Sequence, residues 1–418
     1  MSSITLNRTL LKGVIQVPTS KSLAHRAIII AGLCEEESLI RNVSFSKDIE
    51  ATLSGMQSLG ADIFIDENGI HIQQGNQSSG SAVIDAYESG STLRFLIPYS
   101  LIHKNKVHFI GHGKLGIRPL EVYYDLFRKQ NIKYRTKKDK LDLMIEGQLK
   151  ADRFQIPGNI SSQFITGLMI ACSQLDQDSL IEVTSPLESE AYVQLTMDVL
   201  KEFGIVVTKS ETSYSILGKQ KGKACEYEVE GDFSQAAFFL VADVLGADIT
   251  ISNLNLKSHQ ADRSVIDILE RMGAELIKDK NGYRMKAEHL HSIDIDASSC
   301  PDIIPVISLA CLKAEGTSHI YNAKRLRYKE CDRLKAICEV IRQSGGIVTE
   351  KEDEVMITGG GALKGGIYSD YNDHRMVMME AVLAMMTETP VTIKNWECVS
   401  KSYPNFFEDY KKLGGCII

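Results

Sequence analysis

Seven cations and two carboxylates in this chain have neighbours that suit them to chemistry. Lys21 and Arg26 lie in "TSKSLAHRAIIIAGL", where a polar head of serines and bases runs into an apolar tail, Ala27–Leu33. Arg118 stands before Pro119 in "GKLGIRPL", so its backbone is restricted to extended conformations. "RLRYKECDRL" gathers Lys329, Glu330 and Arg333; "PDIIP" carries Asp302, "NDHRM" carries Arg375, and "SKSYPNFF" sets Lys401 ahead of aromatic residues. Read as a helix start, Lys329 and Arg333 share a face at i,i+4; the alternative is a solvated, salt-bridged helix. Guanidinium's planar fork suits carboxylate and phosphate alike. Lys21, Arg26, Arg118, Lys329, Arg333, Arg375 and Lys401 exceed the needs of one monoanion and fit a substrate pair with several phosphates and carboxylates.

Such side chains need rigid carriers, and the chain supplies them by repetition. "MQSLGADIFIDENGIHI", "FRKQNIKYRTKKDKLDLMI", "LKEFGIVVTKSETSYSIL", "LERMGAELIKDKNGYRM" and "IRQSGGIVTEKEDEVMI" share one grammar. Each has an amphipathic helix tail, a Gly or Asn suited to a helix C-cap, a strand, a polar turn and a second strand. "YKKLGGCII" is a sixth, partial copy. The cap positions, Gly60, Asn131, Gly204, Gly273, Gly345 and Gly414, fall 69 to 73 residues apart. Six mostly apolar helices begin near Ser22, Ser91, Ser162, Ser234, Asp302 and Asp373, at intervals of 68 to 72. A helix without a polar face must be enclosed by protein, and repeats of this length need stacked neighbours to complete their cores. The pattern predicts six α/β units, each with one buried helix and a β-hairpin, grouped as two three-unit domains. Helix starts offer unpaired N–H groups and the positive end of the macrodipole. Arg26, Arg94 and Arg375 sit in three of these first turns, so the six starts together suggest an anion-binding surface.

Composition narrows the function further. A formal charge of −7 over 418 residues argues against general nucleic-acid or anionic-membrane binding, though not against a local basic pocket. No apolar run reaches the roughly 20 residues needed to span a bilayer, and "MSSITLNRTLLKG" lacks the apolar core of a signal peptide. Nine cysteines at irregular spacing fit reduced thiols in a cytoplasmic protein. Cys331 is read as a small side chain in a charged segment in preference to a nucleophile. The histidines form no metal-ligand pattern, and no metal is expected.

In these residues the chain closely resembles the 5-enolpyruvylshikimate-3-phosphate synthase (3-phosphoshikimate 1-carboxyvinyltransferase) family. The matching motifs run in family order from "SKSLAHRA" through "ESGSTLRF", "IRP", "SSQF", "PDIIP", "RYKECDRL" and "NDHRM" to "SKSYPNFF". The resemblance implies a two-domain enolpyruvyl transferase fold, with one domain at 1–18 plus 233–418, the other at 19–232, and the active site in the cleft between them. It implies transfer of the carboxyvinyl group of phosphoenolpyruvate to the 5-hydroxyl of shikimate 3-phosphate, by a monomeric cytoplasmic enzyme without a cofactor. Carried over by motif, Lys21, Ser22, Arg26, Ser161, Ser162, Gln163, Ser189, Tyr192, Asp302 and Lys329 meet shikimate 3-phosphate. Lys21, Gly90, Arg118, Gln163, Arg333, Arg375 and Lys401 meet phosphoenolpyruvate. Asp302, Glu330 and Lys21 are the implied catalytic groups. Gly90 implies sensitivity to glyphosate.

Three departures stand out: Thr19 replaces the glycine of "GSKS", Glu88 stands where many members have Asn, and Arg325 takes a position often held by Asn. The rival enolpyruvyl transferase, acting on UDP-N-acetylglucosamine, generally has a cysteine in the loop before its "RP"; "GHGKLGIRP" has none. A catalytically silent polyanion binder on the same scaffold is opposed by the presence of both Asp302 and Glu330.

Overall fold

Six segments of 10 to 14 residues with almost no polar face form helices here because other protein surrounds them. Isolated helices of that length are marginal in water, so burial of side chains at about 1.5–3 kcal/mol each decides the outcome. The computed structural model describes residues 2–75, 80–137, 140–369 and 371–418. Among them are twelve α-helices. The six enclosed ones are α1 (Lys21–Ala31), α3 (Gly90–His103), α5 (Ser162–Cys172), α7 (Phe233–Val244), α9 (Ile304–Lys313) and α11 (His374–Leu383). They alternate with α2 (Lys47–Leu59), α4 (Glu121–Lys129), α6 (Glu190–Glu202), α8 (Ser264–Arg271), α10 (Arg333–Gln343) and α12 (Phe406–Lys412). The alternate helices keep an exposed polar face.

The predicted caps explain how each repeat turns. Gly60, Asn131, Gly204, Gly273, Gly345 and Gly414 all have positive φ, from 57° to 103°. That left-handed conformation ends the even-numbered helix and redirects the chain toward a hairpin. The hairpin turn of the second repeat includes residues 138–139, outside the described residues. Each repeat around α1, α3, α5, α7 and α9 closes a four-stranded sheet: two parallel strands flank the buried helix, and the hairpin adds two antiparallel ones. The sheet around α11 has three strands, and the N-terminal strand Ser3–Leu6 pairs antiparallel with Val391–Lys394 there. The chain's beginning thus completes its last, truncated repeat.

The chain divides into two compact units: Met1–Pro18 with Gly231–Ile418, and Thr19–Glu230. Each has its own apolar core and three of the six sheets. Gly231 and Asp232 go with the first unit because the Asp232 N–H donates to the Pro18 carbonyl while its carboxylate caps α7. The lead-in strands are exchanged at these passages. Lys12–Gln16 pairs with Asp248–Ser252 beside α7, and Glu226–Glu228 pairs with Ser38–Arg41 beside α1.

One contact shows how tightly the buried helices are fitted. Pro98 inside α3 has no N–H to donate to the Arg94 carbonyl. The Tyr123 hydroxyl of α4 donates there instead, at 2.5 Å. Gly167 lets α5 come close at the same point, since a Cβ there would lie 2.4 Å from the Arg94 oxygen. No helix among the described residues is long and apolar enough to cross a membrane.

Candidate active site

The starts of the buried helices carry the chemistry, and each unit builds its own group of charged side chains there. In the unit Thr19–Glu230, hydroxyls at Ser20, Ser89 and Ser161 cap α1, α3 and α5 by accepting from first-turn N–H groups. The caps lie one or two residues ahead of the positions marked from sequence, so Ser22, Ser91 and Ser162 fall inside the first turns. A line of neutral groups ties the starts of α1 and α3 together through α2. His25 Nδ1 and Thr52 Oγ1 are 2.7 Å apart, Thr52 and Thr92 hydroxyls also 2.7 Å, and Thr92 donates to Ser89 at 2.8 Å. Burial pushes the His25 imidazole down to about 3, so it stays neutral.

Arg26 and Arg94, in the first turns of α1 and α3, donate to uncharged groups. Lys21 is paired, its ammonium 2.7 Å from an Asp48 carboxylate oxygen. Arg26 is buried and donates to Thr196 Oγ1 at 2.9 Å, to the Ser22 carbonyl at 2.6 Å and to the Tyr192 carbonyl at 2.9 Å. Its guanidinium lies 5.2 Å from the Phe95 ring centroid, and burial lowers its proton affinity to about 10. Arg94 donates to Gln163 Oε1 at 2.8 Å and to the Pro119 carbonyl at 3.0 Å, and the Gln163 amide donates to Ser91 Oγ at 2.9 Å. Arg118 ends the 3-10 turn Gly113–Ile117 with the extended backbone that Pro119 demands. Gly90 sits under that arginine: a Cβ would lie 3.0 Å from Arg118 Nη1. Ser189 adopts a left-handed backbone at the start of α6, one helical turn before Tyr192. Glu88 packs on Gly113, whose added Cβ would approach its carboxyl carbon to 2.7 Å.

In the other unit, cations and carboxylates interlock. Arg333, 1% exposed, donates through Nη1 to Asp302 at 2.7 Å and through Nη2 to Glu330 at 2.7 Å. Its Nε and Nη2 also grip Asp373, at 2.7 and 3.2 Å. Lys329 lies 3.0 Å from the same Asp302 oxygen, and Lys401 is 3.7 Å from Glu330 Oε1. Lys401 is buried at the end of the 3-10 turn Trp396–Lys401, held as its aromatic neighbours suggested. Burial opposes charge on Asp302, but Lys329, Arg333 and Arg375 outweigh it and hold the carboxyl well below its usual range. Burial likewise works against the Arg333 charge, yet Asp373, Glu330 and Asp302 raise its proton affinity well above normal. Lys329 is pulled below its ordinary value by burial, which exceeds the support of Asp302.

Two sequence expectations are corrected here. Lys329 and Arg333 do not share a helix face, because Lys329 is extended and α10 begins only at Arg333, with Asp332 as its cap. They converge by both reaching Asp302. Nor is the segment a solvated helix, since Arg333 is enclosed by three carboxylates. Asp302 also differs from the other starts: α9 has Ile303 at its cap position and no side-chain cap, leaving the Asp302 carboxylate to the two cations. Cys331 is buried, its thiol pushed up first by burial and then by Asp373, which suits a structural side chain rather than a nucleophile. Arg325 donates to the Ser298 carbonyl at 3.4 Å. Sequence reading passed over Asp48 and Asp373 as ion-pair partners, and the Thr196 and Arg94–Gln163 contacts. Asp373 and Arg94 were visible as helix-start residues, but the contacts arise only in three dimensions.

Two three-repeat α/β units, each with buried cations beside its helix starts, form an arrangement suited to multiply anionic small molecules. The family model described as EPSP synthase (3-phosphoshikimate 1-carboxyvinyltransferase) matches residues 7–410, and the chain belongs to that family. It is 48% identical to the 3-phosphoshikimate 1-carboxyvinyltransferase of Clostridium acetobutylicum, over 99% of this chain and 98% of that one. To the enzyme of the same name from Clostridioides difficile it is 45% identical, over 100% and 98% of the two chains. Among solved structures, EPSP synthase from Acinetobacter baumannii superposes with a TM-score of 0.83 at 25% identity, covering 100% of this chain and 99% of that one.

Proposed function

We propose that this chain transfers the carboxyvinyl group of phosphoenolpyruvate to the 5-hydroxyl of shikimate 3-phosphate, releasing phosphate, in the shikimate pathway of aromatic amino-acid biosynthesis. Family membership over nearly the full chain supports the reaction. The observation that carries the mechanism is Arg333 bridging Asp302 and Glu330.

The reaction is an addition followed by an elimination. In the addition, the 5-hydroxyl oxygen bonds to C2 of phosphoenolpyruvate and loses a proton, while the methylene carbon gains one. In the elimination, the C2–O bond to phosphate breaks and the new methyl group gives up a proton to restore the double bond. Two proton-transfer groups are therefore needed. Asp302 accepts the hydroxyl proton, and Glu330 protonates the methylene and later deprotonates the methyl. Asp302 is a weak base while Lys329 and Arg333 hold it. An incoming phosphate or carboxylate competes for those cations and raises its basicity when substrate is present. Lys21 assists at the hydroxyl or the leaving phosphate.

Arg118, Arg333, Arg375 and Lys401, with Lys21 and Gln163, hold phosphoenolpyruvate, and Gly90 keeps space open beside Arg118. Ser22, Arg26, Ser161, Ser162, Gln163, Ser189, Tyr192 and Lys329 hold shikimate 3-phosphate. These clamps supply positioning and charge stabilisation, so the mechanism calls on no metal or organic cofactor. The reading takes the chain to act as a monomer in the cytoplasm. The test is phosphate release from phosphoenolpyruvate with either shikimate 3-phosphate or UDP-N-acetylglucosamine as acceptor. Release only with shikimate 3-phosphate is expected. Release only with the UDP sugar would give the chain to the rival transferase, and release with neither would leave a silent binder.

A further inference from the structure

One buried carboxyl near the first unit's charged cluster has no part in the reaction just described. Asp262 is 1% exposed in the 3-10 turn Ala261–Arg263, before α8, and accepts a hydrogen bond from the Ser234 hydroxyl in the first turn of α7. The carbonyl of that same Ser234 accepts from Arg375 Nη1 at 2.8 Å. Arg375 itself is buried, in the first turn of α11. One serine thus joins Asp262 on its hydroxyl side to Arg375 on its carbonyl side.

The turn is stapled to α7 a second time. Gln260 donates to the Gly231 carbonyl at 2.8 Å and accepts from the Phe233 N–H at 3.1 Å. Asp262 is therefore held at the α7 start by two separate sets of bonds. The charged and titratable groups acting on it include Asp302 before α9, Arg375 on α11, Asp232 before α7 and the Cys300 thiol.

We propose that Asp262 is a positioning residue for the transfer reaction, setting Arg375 through Ser234. That effect acts through a group already assigned to the proposed site, so the inference rests on the function assigned above. When Asp262 is ionised, its negative charge faces the shared Ser234 and, beyond it, the Arg375 guanidinium. It also gives Ser234 a charged acceptor, which stiffens the link to Arg375. When Asp262 is protonated, Ser234 loses that charged acceptor and the link to Arg375 slackens.

Burial first, and then Asp302, push the Asp262 carboxyl up to about 7, against the pull of Arg375 and the Ser234 hydrogen bond. The ionised form is consequently lost as pH falls through neutrality. In the wild type kcat should rise with pH through that region as Asp262 ionises.

Asp262→Asn keeps the shape and an acceptor but removes the charge. It should lose this limb of the pH profile and lower kcat at pH 8 by about tenfold, with thermal unfolding little changed. Ser234→Ala removes the hydroxyl that favours the ionised carboxylate and leaves the carbonyl for Arg375. It should move the limb upward by about one pH unit. Infrared pH-difference spectra provide a readout independent of turnover: a protonated-carboxyl band that disappears between pH 5.5 and 8.5 in the wild type and is missing in Asp262→Asn.

An unchanged pH limb in both variants, or no such band in the wild type, overturns the proposal. A uniform loss of activity with lowered unfolding temperature and an unmoved limb reduces Asp262 to a structural residue and overturns it too. A wild type with the band but without turnover supports the titration of Asp262 and overturns the assigned reaction instead.

Discussion

The two units build the same repeat three times each but join their helix starts with different chemistry. In Thr19–Glu230 the joints are largely neutral: His25, Thr52, Thr92 and Ser89 in one line, and Thr166, Thr196 and Arg26 in another. Arg26 donates to carbonyls and a hydroxyl, and Arg94 donates to a carbonyl and an amide oxygen. In the other unit Arg333 alone meets Asp302, Glu330 and Asp373. Neutral joints leave hydroxyls, amides and guanidinium donors arranged to hold anions. Ionic joints fix carboxylates in place, and around Asp302 the cations outweigh burial and hold the carboxyl well below its usual range. The first arrangement favours binding and the second favours proton transfer.

Paired substitutions across the units can break that comparison, and they carry the largest effects. Asp302→Asn should lower kcat by about a thousandfold, in the range of lost general acid–base catalysis, while each KM changes by less than about threefold. Arg118→Met should do the reverse. The KM for phosphoenolpyruvate should rise by about a hundredfold, the equivalent of one lost charge-assisted contact of about 2.7 kcal/mol, with kcat nearly kept. Steady-state kinetics with both substrates varied reads the two splits. If both variants lose kcat and KM in the same proportion, the division of labour between the units is wrong.

A smaller change sharpens the binding side. Gly90→Ala places a methyl group 3.0 Å from Arg118 Nη1, tight enough to displace the guanidinium. The KM for phosphoenolpyruvate should rise by about tenfold, near 1.4 kcal/mol, and inhibition by glyphosate should weaken at least as much. The KM for shikimate 3-phosphate should stay constant; an equal rise there would place Gly90 outside the phosphoenolpyruvate site.

The smallest effect tests what the units share. Gly60 (φ 101°) and Gly345 (φ 89°) do the same work in different units. Alanine at either should cost about 1 kcal/mol, because a Cβ is strained in the left-handed region. Amide hydrogen exchange, followed separately in each unit, should show that loss only in the substituted one. Loss spread over both units would mean that they unfold together.

Legibility differed between scaffold and site for a physical reason. The caps from Gly60 to Gly414 and the apolar bodies from Ala27 to Leu383 were readable because helix ends and buried faces are local requirements, enforced residue by residue. Arg118 and Lys401 were also readable, since Pro119 and the aromatic neighbours constrain them along the chain. Lys329 and Arg333 were placed together for a wrong reason: helical spacing suggested their neighbourhood, whereas a carboxylate 27 residues away creates it. Asp262 gave no local sign at all, because its burial and its bond to Ser234 depend on a turn folding back on a distant helix start.

By itself the sequence determined the repeat, the helix starts, the excess of cations and the family. Only the tertiary structure decided which charges cancel. An ion pair is set by distance in space and by the water excluded around it, and neither is encoded in the spacing of residues along the chain. That is why Arg26 keeps its charge among carbonyls while Arg333, with much the same sequence credentials, is locked among three carboxylates.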